Sequence, residues 1–127
     1  MRVIAGTSRG RRLASFKGRD VRPTPDRVRE ALFSILQSRL GDFSGLRVLD
    51  LFSGSGALAI EALSRGAFTA CLVENAPESE KIIRENLERC QLIDRAQITC
   101  RDAFQTLHDF SAESFDLIFL DPPYGRK

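Results

Sequence analysis

Short apolar runs alternate along the chain with longer stretches in which apolar residues recur at helical spacing. Four runs have the length and aliphatic content of buried strands, and they cover residues 46–51, 68–73, 96–100 and 115–120. Between them, the spacing predicts helices over 25–40, 57–65 and 77–90, and a brief amphipathic stretch over 102–110. Strands that alternate with helices are typical of an α/β fold with a parallel sheet and right-handed crossovers.

Residues with strong terminal preferences mark the helix ends. Thr24 can cap the first helix, Pro25 suits its first position, and Asp26 complements its dipole. Gly41 and Gly66 end the first two helices. The apolar spacing predicts an inner face on the first helix of Val28, Leu32, Ile35, Leu36 and Leu40, and on the third helix of Ile82, Ile83, Leu87 and Cys90.

Size and composition limit the possible classes of protein. A chain of 127 residues is one domain at most and is short for a complete doubly wound sheet, so we expect a Rossmann-like fold truncated after its fourth strand. No apolar run approaches the roughly eighteen residues of a membrane span, and the N-terminus lacks a signal peptide, so a cytoplasmic location is predicted. The three cysteines have no zinc-site spacing, and we interpret them as reduced, buried thiols without a metal.

Charge is distributed unevenly along the chain. Residues 1–29 hold nine Lys or Arg and two Asp, a net charge of +7, whereas the remainder carries −5. Val3, Ile4 and Leu13, together with nearby glycines, predict a short β-hairpin, so we divide the chain into a basic arm (1–23) and a domain (24–127). Such an arm predicts a polyanionic partner, with a solvated, flexible terminus as the alternative. The candidate phosphate contacts are Arg9, Arg11, Arg12 and Arg22.

A glycine turn follows the first predicted strand. The segment Gly54-Ser-Gly56-Ala-Leu-Ala59 matches the G-x-G-x-x-G/A pattern, in which small residues let the backbone approach a ligand. Glu74, at the end of the second strand, lies where a carboxylate can accept hydrogen bonds from both ribose hydroxyls. These features fit both dinucleotides and S-adenosylmethionine. Asp50 favours the latter, because a carboxylate suits an ammonium and a sulfonium better than a pyrophosphate. A tight turn without a ligand is the alternative.

The tetrapeptide Asp121-Pro-Pro-Tyr124 follows the fourth predicted strand. Two prolines fix the backbone and remove two N–H donors, which leaves carbonyl oxygens available in the site. A carboxylate, a carbonyl and an aromatic face are what the exocyclic amine of a nucleobase requires. Hydrogen bonds to Asp121 and to the Pro122 carbonyl would favour a pyramidal nitrogen, while Tyr124 stacks on the base. A plain strand-ending turn is the alternative.

These motifs resemble a known family. Arg2-Val-Ile-Ala-Gly6, Arg22-Pro-Thr-Pro-Asp-Arg-Val-Arg-Glu30, Val48-Leu-Asp-Leu-Phe-Ser-Gly-Ser-Gly56 and Leu120-Asp-Pro-Pro-Tyr124 are similar to segments of the RsmD-type ribosomal RNA guanine-N2 methyltransferases. The resemblance implies that the methionine part of the cofactor is held by Asp50, Phe52, Ser53, Gly54 and Gly56. It implies that Glu74 binds the ribose, Asp102 and Ala103 the adenine, and Asp121, Pro122, Pro123 and Tyr124 the target guanine.

The resemblance therefore implies methyl transfer from S-adenosylmethionine to N2 of a guanine in 16S ribosomal RNA, alone or in the small subunit. His108 is not needed as a base, and we predict it at the surface. Family members extend beyond the last motif, so we expect the fourth strand to be an exposed apolar edge. The alternatives are an adenine-N6 DNA methyltransferase, an RNA-binding module without activity, and an NAD(P) oxidoreductase.

Overall fold

The computed structural model describes residues 1–15, 25–109 and 114–120. Its elements follow one another as strands and helices in the predicted order. They are α1 (Asp26–Leu40), β1 (Arg47–Leu51), α2 (Ala57–Ser64), β2 (Thr69–Val73), α3 (Pro77–Arg89), β3 (Ala96–Thr99), α4 (Ala103–Asp109) and β4 (Leu117–Leu120). A 3₁₀ turn over Ile93–Arg95, which the sequence pattern did not indicate, precedes β3.

The four strands form one parallel sheet in the order β3-β2-β1-β4. Leu51, the last residue of β1, pairs with Val73 on one side and Leu120 on the other, so three strands end at the same edge. β3 and β4 form the two sides of the sheet, and Ile118 and Leu120 of β4 are exposed, as expected for an apolar edge. The predicted α/β class with a parallel Rossmann-like sheet is confirmed.

Alternating side chains of the central strands build two cores. Val48, Ala70 and Leu72 face the larger one, against α2, α3 and the inner side of α1. Leu49 and Val73 face the smaller one on the opposite side of the sheet. Both faces of a covered parallel strand are buried, which is why β1 and β2 are mostly apolar; Asp50 is the buried polar exception in β1. Among the described residues, no helix is long and apolar enough to cross a membrane.

The inner face predicted for α1 is partly wrong. Val28, Ile35 and Leu40 are exposed, whereas the fully buried side chains of this helix are Arg29 and Phe33. Phe33 packs against the rings of Phe43 and Phe119, with centroid distances of 5.8 and 5.7 Å. The buried face of α1 therefore differs from the predicted one. It includes the charged side chain of Arg29, which a search for apolar residues at helical spacing does not identify. Its N-cap is Pro25, and Thr24 lies outside the described residues.

Two further predictions need correction. On α3, Asn86 is fully buried beside Ile83 and Leu87, whereas Ile82 is only partly buried. Cys71 and Cys90 are buried as predicted, but Cys100 is exposed, because β3 ends at Thr99 and the next residue leaves the sheet. His108 lies at the surface, as predicted.

The described part of the basic arm, residues 1–15, packs against α2 and α3. It has a single antiparallel bridge, between Arg2 and Arg12, and it buries Val3 and Leu13 in the larger core. Gly6 lies so close to the end of α2 that an added Cβ would stand 1.9 Å from the carbonyl oxygen of Ser64. This N-terminal segment (residues 1–15) is therefore docked rather than free. The division at residue 23 stays a prediction, because residues 16–24 lie outside the described part.

Candidate functional site

The glycine turn lies at the carboxyl edge of the sheet, between β1 and α2. The Ser53 amide donates to the Val73 carbonyl at 3.0 Å, and the Gly56 amide donates to the Ser53 carbonyl at 2.9 Å. Phe52 and Gly54 have left-handed φ values of 59° and 61°. These bonds and angles fold the chain back within four residues, so α2 begins directly above the end of the strand.

The two glycines of the turn serve different purposes. An added Cβ at Gly56 would meet Leu72 Cδ2 at 3.1 Å and Ile83 Cγ1 at 3.4 Å, so this glycine allows close packing of the turn on the core. A Cβ at Gly54 would meet nothing within 4 Å of the described structure. Open space beside Gly54 is the place where a ligand could approach the backbone.

Glu74 contacts the turn directly. Its Oε1 accepts a hydrogen bond from the Gly54 amide at 2.9 Å, which joins the ends of β1 and β2 across the edge of the sheet. A carboxylate offers about four acceptor positions, so this bond leaves acceptor capacity for hydroxyl groups of a ligand. The structure thus brings together two of the predicted cofactor residues.

Asp50 is buried beneath the same turn. It is 2% exposed, and its Oδ2 accepts from the Ala59 amide at 3.2 Å, in the first turn of α2. A carboxylate at a helix N-terminus is stabilised by the amides and by the helix dipole. Asp50 therefore orients α2 over β1, and its predicted contact with a cofactor stays a prediction.

Ser53 carries a polar atom without a partner. Its Oγ is buried and makes no hydrogen bond among the described residues. Buried hydroxyls are nearly always hydrogen-bonded, since burial of an unpaired one costs about 1 to 3 kcal/mol. An orphaned hydroxyl beside the open space at Gly54 fits a site that receives a polar ligand.

The start of α4 completes this edge of the sheet. The Phe104 ring, which is exposed, meets the Phe52 ring edge-on at a centroid distance of 5.5 Å. Asp102 Oδ2 accepts from the Gln105 amide at 3.3 Å, and Ala103 is buried in the smaller core. The residues predicted for adenine therefore lie beside the glycine turn, joined to it by an aromatic pair.

Five of the predicted site residues are not among those that the structure describes. Asp121, Pro122, Pro123 and Tyr124 lie outside the described residues, as does Arg22, and their roles stay predictions. The strand that precedes Asp121 ends beside β1 at the same edge, because Leu120 pairs with Leu51.

Three predicted RNA-binding residues lie on the N-terminal segment. Arg9, Arg11 and Arg12 are all exposed. Arg11 Nη1 donates to the Arg89 carbonyl at 2.9 Å, and Arg89 Nη1 donates to the Arg12 carbonyl at 3.3 Å. These bonds hold the basic segment against the end of α3, where Arg89 is also paired with Glu85.

A buried charged cluster was missed by the sequence patterns. Glu61 of α2 is fully buried and accepts hydrogen bonds from the Ile4 amide at 2.9 Å, the Ala5 amide at 3.1 Å and Arg65 Nε at 2.8 Å. Its Oε1 also lies 3.4 Å from Nη1 of Arg29, which is fully buried and bonded to Asp26. A single acidic residue inside the apolar helix Ala57–Ser64 is the signal that could have revealed it.

Asn86 was also missed. Its side chain is fully buried on α3 and bonds both to the backbone of Ala14 and to the Ser55 carbonyl in the glycine turn. Asn86 lies next to Leu87 on the apolar face of α3, which is a visible signal in the sequence. Its partners cannot be found in the same way, because they lie far away in the chain.

The thiols and candidate metal ligands add no second site to the described residues. Burial raises the pKa of Cys71, with an opposing hydrogen bond from Thr99, and burial likewise raises the pKa of Cys90. A raised thiol pKa keeps both sulfurs protonated and unreactive. Within residues 1–15, 25–109 and 114–120, no group of His, Cys, Asp or Glu side chains is arranged to hold a metal ion.

Comparisons with known proteins agree with this geometry. Residues 1–127 match the family described as conserved hypothetical protein 95. YlbH of Bacillus subtilis (strain 168), named as a candidate rRNA methyltransferase, is 41% identical over 129 residues, which cover 100% of this chain and 68% of YlbH. The ribosomal RNA small subunit methyltransferase D of Escherichia coli (strain K12) is 36% identical over 126 residues, which cover 99% of this chain and 61% of that protein.

A solved structure shows the same fold. A hypothetical protein of Thermus thermophilus superposes with a TM-score of 0.86 at 35% identity, covering 99% of this chain and 71% of that one. The sheet and its helices are therefore the Rossmann-like fold of methyltransferases. The chain spans 61 to 68% of the length of the two named relatives.

Proposed function

The chain belongs to the conserved hypothetical protein 95 family, that of the RsmD-type methyltransferases, and we propose that it methylates the exocyclic N2 of a guanine in 16S ribosomal RNA. The methyl donor is S-adenosylmethionine, and the partner is the RNA itself or the small ribosomal subunit. Such a substrate implies a cytoplasmic location. The observation that carries the proposal is the bond between Glu74 and the Gly54 amide, which joins the ends of β1 and β2 beside the open space at Gly54.

The residues at this edge suit the donor chemically. The Oγ of Ser53 lacks a partner among the described residues, and the space beside Gly54 is open, so a polar ligand can approach the backbone there. Carboxylates at Asp50 and Glu74 complement a ligand that carries an ammonium, a sulfonium and a ribose. When bound, S-adenosylmethionine supplies an electrophilic methyl group on sulfur.

Each protein group then has a positioning role. Glu74 holds the turn through Gly54 and accepts from the ribose hydroxyls, while Asp50 holds α2 in place and contributes negative charge near the methionine part. Asp102 and Ala103 bind the adenine. Because the methyl transfer is an in-line displacement, fixing the two reactants in contact supplies most of the rate enhancement.

The target amine is bound by the segment after β4. Asp121 and the Pro122 carbonyl accept from the two N–H groups of the amine, Pro123 fixes the backbone, and Tyr124 stacks on the base. A base in an RNA loop is already single-stranded, so bringing it into such a pocket costs little. Arg9, Arg11, Arg12 and Arg22 contact RNA phosphates.

Two glutamate variants test the cofactor assignment. We expect Glu74→Ala in the intact protein to weaken S-adenosylmethionine by about 1.5 to 3 kcal/mol, through lost charge-assisted hydrogen bonds. Glu74→Gln keeps an acceptor for the Gly54 amide and should weaken it less. Glu80→Ala is the matched control, because Glu80 is a surface residue of α3 paired with Arg84. Unchanged affinity of both Glu74 variants in a calorimetric titration would remove the assignment.

The substrate is tested with single-turnover methylation at saturating cofactor. Small ribosomal subunits and naked 16S RNA are compared with duplex DNA, and Asp121→Ala should cut the rate by about a hundredfold or more while cofactor binding survives. Asp121→Asn should reduce the methylation rate less than Asp121→Ala if an uncharged hydrogen-bond acceptor at this position is sufficient. Preferential methylation of duplex DNA would favour an adenine-N6 methyltransferase, and nicotinamide cofactor binding would favour an oxidoreductase.

A further inference from the structure

Asn86 contacts two functional regions at once. Its Oδ1 accepts from the Ala14 amide at 2.7 Å, and its Nδ2 donates to the Ala14 carbonyl at 3.0 Å and to the Ser55 carbonyl at 2.9 Å. Ala14 lies at the end of the N-terminal segment, and Ser55 lies in the glycine turn. Among the hydrogen bonds of the described residues, no other side chain joins the segment to the turn.

We propose that Asn86 is a positioning residue that fixes the N-terminal segment to the cofactor turn and thereby couples RNA binding to cofactor binding. The proposal rests on the proposed function for the identity of the two ligands. It goes beyond that function, because it assigns to a residue outside the proposed ligand contacts the role of joining the N-terminal segment to the cofactor turn.

The chemistry of an amide explains why asparagine serves here. The Ala14 backbone presents one donor and one acceptor, and the Ser55 carbonyl presents a second acceptor, so the partner must accept once and donate twice. A carboxylate of the same shape cannot donate and would face two carbonyl oxygens. An aliphatic side chain would leave these three partly buried backbone groups without the partner that Asn86 provides.

The location of this contact gives it a consequence for the site. Ser55 stands between Gly54, whose amide bonds to Glu74, and Gly56, which begins α2. On the other side, Ala14 follows the exposed arginines at 11 and 12 by two or three residues. RNA that restrains these arginines therefore also restrains Ala14, and through Asn86 it favours one conformation of the turn. Such coupling is reciprocal, so the cofactor must strengthen RNA binding by the same factor.

The N-terminal segment offers a matched control. Ser8 is buried, and its Oγ donates to the Cys90 carbonyl at 2.8 Å, which also attaches the segment to α3. That bond touches no residue of the glycine turn. Ser8→Ala therefore removes a comparable attachment of the segment and leaves the contact with the turn intact.

Amide hydrogen exchange of the intact protein without ligands tests the physical connection. In Asn86→Asp, we expect faster exchange at Ala14 and also at Gly54 and Gly56, whereas Ser8→Ala should affect the segment alone. Asn86→Ala removes both donated bonds and also the acceptor of the Ala14 amide, without adding a charge, and it replaces the aspartate variant if that variant does not fold. Parental exchange rates at both glycines in the folded variant would overturn the proposal.

Titrations with S-adenosylmethionine, with and without a 16S RNA fragment, test the coupling. We expect the Asn86 variant to bind the cofactor about three- to tenfold more weakly, as loss of one buried hydrogen bond implies, and the RNA-induced gain in affinity to fall toward one. Ser8→Ala should keep the parental gain. If RNA increased the cofactor affinity of the Asn86 variant as much as it does that of the parent protein, the coupling would be overturned. Failure of the parent protein to bind either ligand would instead refute the proposed function, and hydrogen exchange would still decide the physical connection.

Discussion

Replacement of Glu61 tests how the N-terminal segment is attached. Its carboxylate is the shared acceptor for two backbone amides of the segment and for Arg65, and it is the nearest anion to one end of the buried Arg29 guanidinium. Arg29 is fully buried, and its Nε already lacks a hydrogen-bond partner in the described structure. Glu61→Ala would leave that cation with Asp26 as its remaining carboxylate.

The burial of Glu61 sets the expected magnitude. Removal of one partner from a buried ion pair costs about 3 to 5 kcal/mol, because the other charge stays desolvated. This is a large part of the roughly 5 to 15 kcal/mol that stabilises a typical domain. Glu61→Gln keeps one acceptor and the volume of the side chain, so we expect it to lose less, about 1.5 to 3 kcal/mol.

Urea unfolding of the intact protein would measure these differences. Glu85→Ala is the matched control: Glu85 also pairs with an arginine four residues later, at 2.6 Å, but its side chain is 53% exposed. An exposed pair of this kind contributes about 0.5 kcal/mol or less. If Glu61→Ala and Glu85→Ala lowered the free energy of unfolding equally, burial would not be the reason why the Glu61 cluster contributes to stability.

Two further predictions concern exposed groups. Replacing Arg9, Arg11 and Arg12 with Gln should weaken RNA binding and reduce the log–log salt slope by about 0.7 to 0.9 per lost phosphate contact. Cofactor affinity measured without RNA should not change, and an unaltered slope would contradict the phosphate contacts. In alkylation of the native protein followed by peptide mass spectrometry, Cys100 should react first, because Cys71 and Cys90 are buried and their pKa values are raised. Equal rates at all three cysteines would contradict this order.

Local patterns predict the sheet and the turn because their causes are local. The strands ending at Leu51 and Val73 are buried on both faces, and this double burial favours the largely apolar sequence that predicts them. Gly54 and Gly56 occupy left-handed conformations that glycine adopts most readily, so the turn is also visible in the sequence. Placement of Glu74 beside Gly54 then follows from parallel pairing of the two strands.

Side chains with distant partners could not be predicted in the same way. The pattern of α1 favoured Val28 and Ile35 as inner residues, whereas Arg29 is buried because Glu61 and Asp26 lie next to it. Nothing near Arg29 in the sequence indicates Glu61, which is 32 residues away. Asn86 is similar, since the partners of its buried amide are Ala14 and Ser55, at separations of 72 and 31 residues.

The N-terminal segment depends on these distant partners for its order. It has one antiparallel bridge and backbone hydrogen bonds of its own, such as that from the Val3 amide to the Arg11 carbonyl. The amides of four further residues donate instead to side chains of α2 and α3, and these residues are Ile4, Ala5, Ser8 and Ala14. Buried amides without acceptors would be costly, so the segment is stable only when both helices are in place. It follows that Arg9, Arg11 and Arg12 reach their positions only when α2 and α3 are in place. The same two helices also hold the glycine turn, since α2 follows it directly and Asn86 of α3 donates to the Ser55 carbonyl.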